Sequence, residues 1–432
     1  MQHAKLKLGI ATAGALAVSM TLVAQPAFAD YAPVARDVVG VGSDTVQFAS
    51  DFIADGDFLG DGGYNTLGNK YKIINFDATP DANARLAYGP DGVGTGTCAP
   101  GDGGTAGTGN STTPHSDQPC TLNPTIVLQA GLSPVQRPNG SGGGAKAIAT
   151  DTHHYIDYAR ASSAQGSTLG STFDSITIGT DPLAMLSATT TNAVPLSAAQ
   201  LKLIYACTDT TWTSVGGTSG ATIIPIVPQV GSGTRSSFLT AIGNPTLGGC
   251  VKTAEENDPT AIAAQSSPAN AIEPMSGGRL NMFLGKLGDG TSNGVGGYFK
   301  DPSCSLNSIA AGTTGCTAGT DTINPDVKLW TSGSPSDTNA LFDISRPLYI
   351  YFRDADINST QAFQPGGTLN WVRTLLYNPC PDNPPVAGDG CTTVGSQTFG
   401  PGGAPYYDST AGQALISAAG ISPTYAVTIS GP

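Results

Sequence analysis

The sequence predicts a mixed α/β protein of two lobes. Three observations carry that expectation. Short apolar segments with strand character alternate with helical patterns along most of the chain. Hydrophobic residues make up 39 % of the composition, enough for a substantial core. The 432 residues suit two to three domains at about 100–200 residues each. No internal repeat of fixed period is visible.

The first element in the chain is an export signal. Lys5 and Lys7 precede an apolar run from Leu8 to Val23, and Ala27-Phe28-Ala29 supplies the small-x-small pattern of a signal peptidase site. Residues 1–29 are therefore expected to be removed, with cleavage after Ala29, and the protein to be secreted or periplasmic. Gly9, Thr12, Gly14, Ser19 and Thr21 interrupt the run, which disfavours a membrane anchor. No later stretch is long and apolar enough to span a bilayer, so no membrane insertion is expected after cleavage.

Strands are expected at residues 71–76, 175–178, 223–227 and 347–352. Helices are expected at 46–53, 145–148, 235–242 and 368–377. Another follows Ser197, whose spacing to Gln200 is that of a capping box, with Leu201, Ile204 and Tyr205 on one face. Residues 88–122, 212–221 and 287–321 are rich in Gly, Thr, Ser or Asp and read as loops. The lobes are expected to comprise residues 30–180 together with 345–432, and residues 181–344. Crossings would fall near Gly179-Thr180-Asp181-Pro182 and Ser345-Arg346-Pro347.

Composition excludes several functions. Lys plus Arg total 19 against 32 Asp plus Glu, a formal net charge of −13. Loss of two lysines with the signal gives 17 − 32 = −15. A protein that neutralises nucleic-acid phosphates needs a basic face, so no nucleic-acid partner is expected. Only 12 % of residues are charged, and only Glu255, Glu256 and Glu273 are glutamates, which gives little support to long charged helices.

All eight cysteines follow the signal, and their even number in an exported chain predicts disulfides. Pairing by locality gives Cys98–Cys120, Cys207–Cys250, Cys304–Cys316 and Cys380–Cys391, one of 105 connectivities. Three of these bridges fall in Gly/Pro-rich loops, where each would contribute ~2–4 kcal/mol by restricting the unfolded chain. Zinc is disfavoured, because there is no CxxC and the only histidines are His3, His115, His153 and His154. No metal and no cofactor are expected.

The most informative feature is a recurring turn. Gly42-Ser43-Asp44-Thr45, Gly140-Ser141-Gly142-Gly143-Gly144 and Gly231-Ser232-Gly233-Thr234 each precede an expected helix. A helix N-terminus leaves amide N–H groups unpaired and carries roughly half a positive charge. Glycine lets the backbone approach a ligand, and Ser or Thr adds a hydroxyl, so each unit is a small anion cradle. A single unit in a chain with 57 glycines means little; three such junctions point to a site. No Walker A sequence and no complete GxGxxG are present, which disfavours a nucleotide site.

The order GSDTV, NGSGGGAKAI, IDYARASS, PLSAAQLKLIY, PIVPQVGSGTRSSF and SRPLYIYF, from about residue 38 to about 355, resembles the phosphate-binding proteins of bacterial ABC transporters. The resemblance implies a two-lobed type II periplasmic-binding-protein fold with inorganic phosphate in the cleft and an ABC permease as partner. It places Ser43, Asp44, Thr45, Ser141, Gly142, Ser232, Gly233 and Thr234 at the ligand. Two departures stand out. The family often has an Asp after the aligned Ala-Ser, where this chain has Ser162 and Ser163, and an Arg before GSGT, where it has Pro228-Gln229-Val230. Arg160 and Arg235 are the cations nearest the motifs, and Asp44 is the candidate acceptor of a phosphate proton. Arg suits such a role because its planar fork binds two oxygens at once. A helix N-cap is the other role open to Asp44, and a salt bridge the other role open to Arg160.

Other constellations are weaker. Gly290-Thr291-Ser292-Asn293-Gly294 matches G-x-S-x-G, but no histidine follows it, so a serine hydrolase is disfavoured. His153-His154 leave metal binding open but are read first as a solvated pair near a helix C-terminus, and Asp354-Ala355-Asp356 lacks the remaining spacing and Glu of an EF-hand. The stretch from Glu273 to Arg279, with Ser276-Gly277-Gly278-Arg279, could add another Ser-Gly turn near the cleft, and its default reading is a structural turn of the second lobe. The expected function is oxyanion capture by a monomeric, non-enzymatic binding protein. The alternative is a secreted surface or matrix protein that reuses this fold with the anion site altered or lost.

Overall fold

The structure is a computed structural model that describes residues 32–78 apart from 58 and 70, 125–188 apart from 134, 191–294 apart from 264, 327–330, 342–358, 370–380, 391–394 and 397–429. The expected signal, the loop at 88–122 and Cys98, Cys120, Cys304 and Cys316 lie outside the described residues.

The strands are β1 Val38–Gly42, β2 Ile73–Asn75, β3 Thr125–Ile126, β4 Val135–Gln136, β5 Tyr158–Ala161, β6 Phe173–Ala188, β7 Ile224–Pro228, β8 Lys252–Ala254, β9 Ala271–Ser276, β10 Val327–Trp330, β11 Asp343–Arg353, β12 Thr392–Val394, β13 Gln397–Phe399 and β14 Ser422–Thr428. The helices that matter here are α1 Asp44–Asp55, α2 Gly140–Thr150, α3 Ala198–Tyr205, α4 Gly233–Ala241, α5 Gly277–Phe283, α6 Trp371–Leu375 and α7 Thr410–Ala418.

One sheet runs through the molecule in the order β2-β1-β5-β11-β6-β9-β7-β8, with β10 and β14 also paired to β6. β1, β2 and β5 are mutually parallel, as are β7, β8 and β9. The long strands β6 and β11 pair antiparallel between these two groups. Thr180 pairs with Pro347 of β11 and with Ser422 of β14, whereas Leu186 pairs with Glu273 of β9 and Leu329 of β10. β6 therefore passes from one group of strands into the other.

Two cores flank each half. Val46, Phe52 and Ile53 of α1 pack with Ile176, Leu348, Ile350, Trp371 and Leu415, while Val39, Val41, Ala145 and Ile148 pack on the opposite face. Beyond the middle of β6, Leu183 and Met185 join Leu201, Tyr205, Trp212 and Phe238, and Leu186 joins Ile226, Ile262 and Met275. Strands covered on both faces read as continuous apolar runs, and β1, VVGVG, is buried throughout. This is the two-lobed α/β fold that the sequence predicts.

The capping box at Ser197 and Gln200 is formed in both directions. Residues 212–221 are not all loop: Trp212–Val215 form a 3-10 turn with Trp212 fully buried. The larger difference lies in β6. Only 175–178 reads as a strand, yet pairing carries it across Gly179-Thr180-Asp181-Pro182. Partners on both edges override that turn-like composition. Bridges Cys207–Cys250 and Cys380–Cys391 are present as local pairing predicts.

Candidate functional site

Four strand-to-helix or loop-to-helix junctions meet in the interior. The first is the end of β1. Gly42 sits at φ 107°, and a Cβ there would lie 2.6 Å from the Arg160 carbonyl oxygen, so glycine is needed for β1 to approach β5. Ser43 is the N-cap residue of α1, but its hydroxyl makes no capping bond; it is buried and has no hydrogen-bond partner. Asp44 is thus a first-turn residue, not the N-cap. Its Oδ2 accepts from Asn257 Nδ2 at 3.0 Å, and its Oδ1 lies 3.7 Å from Arg279 Nη2.

The second and third turns lock onto each other. The Gly142 amide donates to the Gly231 carbonyl at 2.9 Å. The Ser162 amide donates to Ser141 Oγ at 2.9 Å, and the two hydroxyls are 3.4 Å apart. Ser232 caps α4 by accepting from the Arg235 amide at 3.0 Å. Thr45 Oγ1 of the first turn and Thr234 Oγ1 of the third are 3.3 Å apart. A Cβ on Gly233 would overlap the hydroxyls of Ser141 and Ser162. Ser43, Asp44, Thr45, Ser141, Ser162, Ser232 and Thr234 are all 3 % exposed or less.

The structure therefore brings Ser43, Asp44, Thr45, Ser141, Gly142, Ser162, Ser232, Gly233 and Thr234 together. It does not bring Arg160 or Arg235 to them. The Arg160 guanidinium donates to Asn75 Oδ1 at 3.0 Å and to the carbonyls of Gly42 and Phe76. It also lowers the carboxyls of Asp51 and Asp77 against the burial that raises both. Arg235 turns back to the Pro228 carbonyl at 2.7 Å.

The cations at the cradle are Arg346 and Arg279. Arg346 Nη2 donates to Thr234 Oγ1 at 3.0 Å, while Nε and Nη2 hold Asp181 Oδ2 at 3.0 and 2.7 Å. Its Nη1 is buried with no hydrogen-bond partner. Arg279 belongs to the fourth turn, Ser276-Gly277-Gly278-Arg279, where Ser276 caps α5 and donates to Asp181 Oδ1 at 2.7 Å. Its guanidinium stacks 4.1 Å from the Phe48 ring centroid, a cation–π contact that holds it beside Asp44. That fourth turn, for which the sequence left a place near the cleft as the weaker alternative to a structural role, brings a cation beside Asp44.

Sequence reasoning also missed the segment Glu255-Glu256-Asn257. Glu256 Oε1 accepts from the Asp44 amide at 3.2 Å, and Oε2 accepts from the Ser232 hydroxyl. Glu255 accepts from Gln229 Nε2 at 2.7 Å and from Asn139 Nδ2 at 3.1 Å. Asn257 Nδ2 also donates to Thr45 Oγ1 at 3.1 Å. Burial pushes the Glu256 carboxyl up, the Asp44 carboxylate adds to this, and bonds from Ser232 and the Thr234 amide together with Arg346 work against it. One signal was available: this chain has three glutamates, and all three are 4 % exposed or less.

Among the described residues no group of three or more His, Cys, Asp or Glu could hold a metal ion, and no helix is long and apolar enough to cross a membrane.

Strand ends and helix N-termini thus converge on a buried cluster of hydroxyls, amides and charged side chains within an α/β fold. A family model for the PBP (periplasmic-binding-protein) superfamily domain matches residues 124–364, more than half of the chain, and the chain belongs to that superfamily. Solved structures similar to it include an ABC-type phosphate transport receptor from Vibrio cholerae, 15 % identical over 75 % of this chain and 89 % of that one, with a TM-score of 0.38. A high-affinity periplasmic phosphate-binding protein, PfluDING, bound with phosphate is 14 % identical over 73 % and 80 %, with a TM-score of 0.34. A phosphate-binding protein from Stenotrophomonas maltophilia is 15 % identical over 65 % and 81 %, with a TM-score of 0.33. No curated protein matches the chain in sequence.

Proposed function

We propose that the protein is an exported solute-binding protein that captures inorganic phosphate, or a closely similar oxyanion, at the junction of the turns at Ser43, Ser141 and Ser232. One observation carries the reading: the starts of α1 and α4 meet through Thr45 and Thr234, Arg346 reaches the same Thr234, and Ser43 Oγ and Arg346 Nη1 are buried without hydrogen-bond partners. Buried donors without partners cost about 1–3 kcal/mol each, and an oxyanion would satisfy them. Oriented amides and hydroxyls act at contact distance, so the chain's overall negative charge does not oppose capture of one small anion.

In this reading Arg346, with Arg279 behind Asp44, provides the counter-charge that the resemblance would assign to Arg160 or Arg235. Asp44 accepts the phosphate proton, which a fully ionised sulfate lacks. Residues 30–180 with 345–432 form one lobe and 181–344 the other. β6 and β11 join the two lobes and bend as they close on the ligand. Phosphate then passes to an ABC permease from a monomer outside the cytoplasmic membrane.

A second reading has its own support. The Glu256 carboxylate occupies the amides and hydroxyl that an oxyanion would use. That favours a secreted surface or matrix protein with an altered anion site. Calorimetric titration of anion-free protein with phosphate, sulfate and arsenate separates the two. Micromolar or tighter phosphate binding supports capture. Absence of heat and of a thermal shift at millimolar phosphate overturns it. Asp44→Asn is expected to weaken phosphate binding and relax rejection of sulfate.

A further inference from the structure

We propose that Glu256 is an internal ligand of the oxyanion cradle, so that capture of an external oxyanion is an exchange of one anion for another. This rests on the reading of the cradle as the capture site.

The geometry is that of a ligand. One carboxylate collects donors from two helices far apart in sequence: the Asp44 amide in the first turn of α1 at 3.2 Å, and the Ser232 hydroxyl at the N-cap of α4. The Thr234 amide also hydrogen-bonds to this carboxylate. An oxyanion placed there would use these same groups.

The chain around Glu256 behaves as a plug. Its own amide is held by Gln229 Oε1 at 2.8 Å. On one side Glu255 is held by Gln229 and Asn139; on the other, Asn257 sits at φ 59° and reaches Asp44, Thr45 and the Ser276 amide. Three consecutive side chains thus engage all four junctions.

A purely structural staple would leave the cradle satisfied, and this one does not. Ser43 Oγ and Arg346 Nη1 remain buried without hydrogen-bond partners, and neither bonds to the Glu256 carboxylate. The staple also places Glu256 beside the Asp44 carboxylate. Phosphate added while Glu256 stayed in place would bring a third anion against that pair, so like-charge repulsion favours exchange over joint occupancy. Glu256 thereby sets a threshold: an anion enters only if it gains more from the cradle than the carboxylate loses.

The test is calorimetric titration of anion-free protein with inorganic phosphate for wild type, Glu256→Gln and Glu256→Ala, with folding checked by circular dichroism and thermal unfolding. Gln keeps the shape and removes the charge; Ala removes the side chain. Both are expected to bind phosphate at least about tenfold tighter than wild type, since hydrogen bonds to a charged group and the adjacent repulsion are removed from the unliganded state alone. Both should also melt lower without phosphate and gain more from it than wild type. If wild type binds phosphate and the variants bind equally or more weakly, Glu256 is a staple or a direct ligand; the exchange is overturned and the capture site stands. If only the variants bind, Glu256 blocks the cradle permanently rather than exchanging with an external anion, and both the capture reading and the exchange are overturned. If none binds, the capture reading and the exchange fall together.

Discussion

Arg346 and Asp181 stand directly opposite each other in the β6–β11 ladder, and two guanidinium nitrogens of Arg346 donate to one oxygen of Asp181. The other Asp181 oxygen accepts from Ser276 Oγ at 2.7 Å and from the Gly278 amide at 2.9 Å. One buried carboxylate therefore ties the two long strands to the start of α5, while Arg346 reaches on to Thr234. Breaking a buried pair by removing one partner costs about 3–5 kcal/mol. Asp181→Ala should lower stability by that order in chemical denaturation and weaken phosphate binding in the variant that remains folded. An unchanged midpoint would show that the pair contributes nothing.

The arginines should separate by function. Arg346→Lys keeps a charge but loses the fork that spans Asp181 and Thr234, so phosphate affinity should fall about tenfold or more. Arg235→Ala should leave affinity within about threefold, because its guanidinium is turned to the Pro228 carbonyl. Arg160→Met should act on stability, since Arg160 is fully buried against Asn75 and two backbone carbonyls. Titration and melting of the three variants together provide the check. A larger binding loss for Arg235→Ala than for Arg346→Lys would reverse the assignment.

Gly233→Ala tests the convergence of the turns. The added methyl would overlap the Ser141 and Ser162 hydroxyls, and the Ser141 Cβ would lie 3.0 Å from it. Overpacking of this kind costs about 1–3 kcal/mol. The turns at Ser141 and Ser232 would be pushed apart, so phosphate binding should be lost at concentrations that saturate wild type, with the circular dichroism spectrum retained. Wild-type affinity in this variant would mean that the turns at Ser141 and Ser232 do not act together.

The turns were legible because their signal is local: a glycine, a hydroxyl residue and a helix within a few positions, as at Gly231-Ser232-Gly233-Thr234. The ions that complete the cradle were not. Glu256 meets Asp44 across a sequence separation of 212, and nothing in the run around Glu255-Glu256 has a period that reveals its direction. Arg160 lies two residues before Ser162, a spacing that would put both on one face of a continuing strand, but β5 ends at Ala161 and Ser162 lies beyond it. Ser162 reaches Ser141, while the Arg160 guanidinium reaches Asn75. Arg346 stood in the expected crossing and Arg279 in an expected structural turn. Their roles appear only once β6, β9 and β11 are side by side.

The Cys207–Cys250 bridge closes a loop with a sequence separation of 43 that includes β7 and α4. In the chain-entropy model a loop of this size is worth about 4 kcal/mol. Replacing both cysteines with serine should lower the denaturation midpoint correspondingly and leave the proposed anion site formed. In the same model Cys380–Cys391, with a separation of 11, should contribute about 3 kcal/mol. Equal or reversed effects of the two double variants would argue against loop closure as the source of the stabilisation.

Asp157 provides a pH test away from the cradle. Its Oδ2 accepts from the Val39 amide at 2.7 Å at the start of β1. Burial pushes its carboxyl up to about 7, with Asp356 and Asp151 adding to the rise and the Val39 bond and Arg353 opposing it. A carboxyl raised in the folded state binds its proton more tightly there than in the unfolded chain. Its stabilising contribution is therefore complete below the unfolded value near 4 and is lost as pH rises through about 7. Asp157→Asn keeps an acceptor for Val39 and removes the charge. It should raise stability above pH 7 by about 1–2 kcal/mol, after discounting for the residue's partial exposure, and do little at pH 4. Other raised carboxyls, such as Asp356, titrate in both proteins, so the readout is the difference between their melting temperatures across pH 4–9. A difference that shrinks as pH rises would mean that Asp157 is ionised and stabilising in the folded protein.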